Sequence, residues 1–129
     1  MKTRGWVWRE TVLAVHEQLL AEFGGSAGVH DEGLLASALA RPENLQHYGK
    51  PTVFDLSACY AFNLMKNHPF VDGNKRIGFA VAILFLELNG YRFLATEVDA
   101  TVRSLALAAG EMTEMEYAAW LKANSKKAS

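Results

Sequence analysis

The stretch from Asn74 to Leu88 constrains the fold more than any other part of the chain. After its first turn it is apolar on nearly every side, with Ile77, Phe79, Ala80, Val81, Ile83, Leu84, Phe85 and Leu86 in close succession. A helix of that composition keeps no face for water and belongs at the centre of a bundle. Its unbroken run, Ile77 to Leu86, is too short to span a bilayer and reads as a core helix. The remaining chain must therefore supply amphipathic helices to cover it, and 129 residues are enough for one domain, 1–129, with a core of its own.

Those covering helices are legible. Val12, Val15, Leu19, Leu20 and Phe23 share one face of a first helix, about Arg9 to Phe23, stopped by Gly24-Gly25. Asp31 is placed to cap a second helix through Ala40, packed by Leu34, Leu35, Ala38 and Leu39 and closed by Pro42, with a short helical turn over Glu43 to Tyr48. A third helix, Val53 to Asn67, carries Leu56, Cys59, Tyr60, Asn63 and Leu64 on one side, and His68-Pro69 ends it. Asn89-Gly90 ends the central helix, and Tyr91 to Leu94 reads as a brief strand. Two further helices follow. Asp99 to Ala109 is expected to turn Val102, Leu105, Ala106 and Ala109 inward, and Thr113 to Ala123 to do the same with Tyr117, Trp120 and Leu121. Trp6-Val7-Trp8 reads as a short strand or an extended arm, and the polar tail from Ser125 to Ser129 as a frayed end. The expectation is an all-α, small single-domain helical bundle with at most a minor β element.

Composition narrows the function classes. The chain is 50% hydrophobic and 21% charged with a net charge of −1, which argues against direct nucleic-acid binding. Its one cysteine, Cys59, permits no intrachain disulfide and lies in an apolar helical stripe, so it reads as a buried small hydrophobe in a reducing compartment. Met1-Lys2-Thr3-Arg4 is basic, but no apolar segment of signal-peptide length follows it. The expected location is cytoplasmic, away from any membrane.

The chemistry concentrates in the turn before the central helix, His68-Pro69-Phe70-Val71-Asp72-Gly73-Asn74-Lys75-Arg76. Lys75 and Arg76 stand where a helix presents its unpaired N–H groups and the positive end of its dipole. Two cations there oppose the dipole, at a cost of roughly 0.3–1 kcal/mol each at an exposed site. A bound anion reverses that sign, and phosphate is the obvious candidate. Taken singly, each residue has a structural explanation. His68 can serve the last carbonyls of the helix before it, Asp72-Gly73-Asn74 can be a turn and a cap, Phe70 a core anchor, and Arg76 a side chain lying over apolar surface. Together they set an imidazole, a carboxylate and two cations around one helix N-terminus, the parts that phosphate-ester chemistry needs.

The same residues resemble the signature of the Fic/Doc superfamily, His-x-Phe-x-Asp/Glu-Gly/Ala-Asn-Gly/Lys-Arg, and meet every specified position of it. Gly33-Leu34-Leu35, Ala38-Leu39-Ala40-Arg41-Pro42, Lys66-Asn67 and Phe85-Leu86-Glu87-Leu88-Asn89-Gly90-Tyr91 resemble its Doc, or death-on-curing, branch. The resemblance implies a small helical bundle with the motif loop between two central helices. Members that transfer AMP usually have Gly where this chain has Lys75, and a second Arg where it has Phe79. The Doc branch, with Lys at the former position, resembles kinases that move the γ-phosphoryl group of an inverted nucleotide. Gly73 replaces the Ala of the founding Doc toxin, and glycine lets the backbone come close to a phosphate.

On that resemblance the catalytic residues are His68, Asp72, Lys75 and Arg76. His68 acts as the base toward a target Ser or Thr hydroxyl, Asp72 as a Mg²⁺ ligand, and Gly73, Asn74, Lys75 and Arg76 as the nucleotide phosphate cradle. The co-substrate would be ATP or another nucleoside triphosphate. The partners implied are a translation target, with elongation factor Tu the archetype, and an antitoxin chain in trans. Related enzymes that restrain themselves carry a Ser/Thr-x-x-x-Glu helix, a spacing that this sequence does not contain. Trp6, Trp8 and Trp120 are candidate surface anchors for an antitoxin segment. AMP transfer on the same loop, or a nucleotide- or partner-binding module without catalysis, are the alternatives.

Overall fold

The computed structural model describes residues 4–128; Met1-Lys2-Thr3 and Ser129 lie outside the described residues. Helix α3 (Val53–Asn67) and helix α4 (Asn74–Leu88) pack along one another at the centre. Leu56, Tyr60, Leu64, Ile77, Val81, Phe85 and Leu86 are all wholly buried between them and their neighbours. The close approach depends on Gly78, where a Cβ would stand 2.9 Å from Met65 Cγ and 3.0 Å from the Ala61 carbonyl oxygen. Ser57 adds a buried tie, its hydroxyl donating to the Ala82 carbonyl at 2.7 Å.

Around this pair lie α1 (Arg9–Phe23), α2 (Glu32–Tyr48), α5 (Glu97–Ala108) and α6 (Glu114–Ala123). Side-chain caps set four of the starts: Asp31 for α2, Thr52 with Asp55 for α3, Thr96 for α5, and Thr113 with Glu116 for α6. Ahead of α1 the segment holding Trp6-Val7-Trp8 is an extended arm and not a strand. Val7 N–H donates to the Tyr60 hydroxyl at 3.1 Å, and Gly5 and the Asn89 side chain exchange two hydrogen bonds. Among the described residues, no helix is long and apolar enough to cross a membrane. The fold is the expected small all-α domain with one minor β element.

Four local expectations are corrected. Pro42 does not close the second helix, which runs through it to Tyr48. Leu35, Ala38 and Pro42 form the buried stripe of α2, and burial of the ring on α3 offsets the bond that proline cannot donate to the Ala38 carbonyl. The tail is not frayed. Ser125–Lys127 (β2) pairs antiparallel with Tyr91–Phe93 (β1), through a backbone ladder that needs no apolar side chain. Helix α5 turns Ala100, Ser104 and Leu107 inward, and leaves Val102 and Leu105 on its exposed side. A serine fits the inner face because its hydroxyl meets the Tyr117 hydroxyl at 3.0 Å. Trp120 is core and not a surface anchor: it is buried, and its indole N–H donates to Asp99 at 2.8 Å. Trp6 packs partly buried against the core, whereas Trp8 is 70% exposed.

Candidate active site

The six residues between α3 and α4, His68 to Gly73, are held from three sides. His68 ends α3 in the left-handed region at φ 52°, uncommon for a residue with a side chain. Phe70 is buried and anchors the turn from below. The linker between α1 and α2 forms a second wall: His30 N–H and Asp31 N–H both donate to the Pro69 carbonyl, and Val71 N–H donates to Gly28. The third support is His16 of α1. It is only 3% exposed, its ring stacks on Phe70 at 3.8 Å, and its Nε2 lies 2.8 Å from the main-chain oxygen of Asp72.

Helix α4 opens unlike the others. Gly73, in the left-handed region at φ 78°, caps it without a side chain, and its first turn holds no acid. Each of the other five helices has at least one acid there. The first hydrogen bond of the helix is from Ile77 N–H to the Gly73 carbonyl at 2.9 Å, so the N–H groups of Asn74, Lys75 and Arg76 have no intrahelical acceptor. Neither Lys75 nor Arg76 forms an ion pair among the described residues. Both side chains are exposed, and Arg76 lies over the Phe23 ring at 4.3 Å. Phe23 is therefore drawn out of the core face expected for it and serves as a platform for the guanidinium.

His68, Asp72, Gly73, Asn74, Lys75 and Arg76 all border one groove of about 950 Å³, which continues along α4 and α5 past Phe79, Ile83 and Thr101. Asp72 is exposed; its Oδ1 accepts from Gly73 N–H at 3.0 Å and its Oδ2 from Ser26 N–H at 3.3 Å. One donor on each oxygen leaves acceptor capacity on both, and a carboxylate is the hard oxygen donor that Mg²⁺ takes. Among the described residues no cluster of three or more acidic, His or Cys side chains is present, so a metal here would complete its shell with water and phosphate oxygens. A Cβ at Gly25 would stand 3.1 Å from Asp72 Oδ2, which explains a glycine beside that carboxylate.

Asn74 sits differently from its neighbours. It is 3% exposed, its Oδ1 accepts from Phe70 N–H at 2.9 Å, and its Nδ2 faces the Phe70 carbonyl at 2.9 Å and His68 Nδ1 at 3.1 Å. Its side chain is committed to the loop, and its backbone N–H is what it offers a ligand. His16 stands 56 residues from Asp72 in the sequence, outside the cluster of titratable groups at the turn. Its one trace in the sequence is a histidine four residues from both Val12 and Leu20, on the apolar face of α1. Cys59 stays outside the chemistry: it is buried on α3, and burial pushes its thiol up to about 12.

Fold and loop define a small helical domain whose central helix opens uncapped and cationic beside a histidine and a carboxylate. The chain belongs to the Fic/DOC family, whose model matches residues 6–86. It is similar to the protein named Toxin Doc of Mycolicibacterium smegmatis, 44% identical over 80 residues, which are 60% of this chain and 60% of that protein. It is also similar to the protein named Protein kinase doc of Escherichia phage P1, 33% identical over 82 residues, or 63% of this chain and 65% of that protein. The chain thus covers less than two thirds of either relative.

Proposed function

We propose that this protein is a Doc-type toxin kinase that transfers the γ-phosphoryl group of ATP, or another nucleoside triphosphate, to a Ser or Thr hydroxyl of a target protein. The observation that carries the reading is the start of α4, where N–H groups without an intrahelical acceptor and two cations that form no ion pair among the described residues open onto the groove beside His68 and Asp72. Lys75 favours phosphoryl over AMP transfer, because it sets a bulky cation where AMP-transferring members usually keep glycine. The names of the two relatives, a toxin and a protein kinase, point the same way.

In this reading His68 takes the proton of the attacking hydroxyl. Lys75, Arg76 and the free N–H groups hold the phosphates and stabilise the charge that spreads over them as the bond loosens. Asp72 would hold Mg²⁺, which when bound neutralises phosphate charge. The His16 bond and the Gly28 and Pro69 ladder keep the loop in place for this. The target is a translation component such as elongation factor Tu, met in the cytoplasm, and an antitoxin chain in trans supplies the restraint.

The test is incubation of the pure protein and a bacterial lysate with ATP labelled at either the α or the γ phosphate. Label should pass to protein from the γ position alone and vanish in His68→Ala. Label from the α position would instead establish AMP transfer, and none from either would leave a binding module.

A further inference from the structure

The Asn74 amide has one orientation. Its Oδ1 faces Phe70 N–H and its Nδ2 faces the Phe70 carbonyl, both at 2.9 Å, so a flipped amide would set hydrogen against hydrogen and oxygen against oxygen. Nδ2 carries two hydrogens. One goes to the Phe70 carbonyl, and the other is directed at His68 Nδ1, 3.1 Å away. An N–H donor there requires a lone pair on Nδ1, which leaves the hydrogen of the neutral imidazole on Nε2. Among the described residues the His68 ring has no other hydrogen-bond partner.

We infer that Asn74 is a positioning residue that locks the resting His68 in its Nε2–H tautomer, so that the ring offers the groove an N–H donor and no basic nitrogen. To accept a hydroxyl proton at Nε2, the imidazole must first lose that hydrogen to water and take one up at Nδ1. The Asn74 N–H must then release Nδ1, because two hydrogens cannot share the contact. Arming of the base is thereby coupled to breaking the Asn74–His68 contact, by a turn of the exposed His68 ring away from the anchored amide. This consequence rests on the base role proposed for His68; the tautomer itself does not.

The decisive measurement is a two-dimensional ¹⁵N–¹H spectrum of the imidazole rings in the full-length, ¹⁵N-labelled protein at a pH where the rings are neutral. Exposed His30 and His47 serve as references for free tautomer exchange. His68 should show a lone-pair Nδ1 and a protonated Nε2, displaced from the averaged shifts of the references. In Asn74→Ala, with His16 signals unchanged as the check on folding, the His68 nitrogens should move to the reference values. Wild-type His68 protonated on Nδ1, or averaged like His30, would overturn the lock, and the wild-type spectrum decides this even if the variant fails to fold. Loss of label transfer in His68→Gln supports the base role on which that coupling rests. Retained transfer would remove the base role, and with it that coupling, while the spectrum still judges the tautomer.

Discussion

His16 carries part of the loop's geometry across 56 residues of sequence, through one hydrogen bond to the Asp72 main chain and one stacked face on Phe70. Replacing it with phenylalanine keeps the stack and deletes the donor, stranding a carbonyl at a cost of about 1–3 kcal/mol if the loop does not move. The loop is the cheaper part to move. For the proposed phosphoryl transfer, His16→Phe should therefore lower kcat roughly 10–100-fold and raise the Mg²⁺ concentration needed, with His16→Gln recovering part of both. Kinetics against Mg²⁺ concentration, beside a thermal melt, check this; wild-type kinetics would show that Asp72 is held without His16. Much of the site was readable as residue types in order, since His68, Asp72, Lys75 and Arg76 stand together in the sequence. Its internal wiring was not. Whether Asn74 faces a ligand or its own loop depends on bond directions within the turn, and the role of His16 depends on the packing of α1 against that turn.

At the scale of elements, legibility followed punctuation. Gly24-Gly25, His68-Pro69 and Asn89-Gly90 stop the chain wherever it is helical before them, and α1, α3 and α4 begin and end as their patterns predict. Errors arose where tertiary contacts outweighed local signals: a buried proline within α2, an inward serine on α5, a polar tail zipped to β1 by backbone alone. The start of α4 joins the two levels, because its charges are wrong for a helix and right for an anion. Arg76→Ala removes a cation repelled by the dipole and one contact with Phe23, effects of opposite sign that are each within about 1 kcal/mol. Apo stability should therefore change by less than about 1 kcal/mol, while nucleotide affinity and turnover fall together. Denaturant melts of the free protein and titration with ATP separate the two. A large loss of apo stability would make Arg76 a structural residue.

Across the whole molecule, the groups most perturbed by folding lie in the core that supports the loop. Burial pushes the Cys59 thiol and the Tyr60 and Tyr117 hydroxyls up to about 12, from ordinary values of 9.0 for the thiol and 10.0 for the phenols. Tyr60 receives the Val7 N–H, and Tyr117 meets Ser104, so both phenols also tie elements together. The sign follows from proton counts: above pH 9 the unfolded chain begins to lose protons that the folded chain keeps, so alkali favours unfolding. The stability these groups contribute is complete below about 9 and drains away as pH rises toward 12. Each group ionised only in the unfolded state steepens the decline by about 1.4 kcal/mol per pH unit. Thermal melts from pH 8 to 11 should show Tm falling with increasing slope once the tyrosines join the cysteine. Cys59→Ala should delay the onset by about one unit, from the thiol's 9.0 to the phenols' 10.0. A Tm that stays level to pH 11 would mean that water reaches these three groups in the folded protein and that the core beneath the loop is looser than its packing indicates.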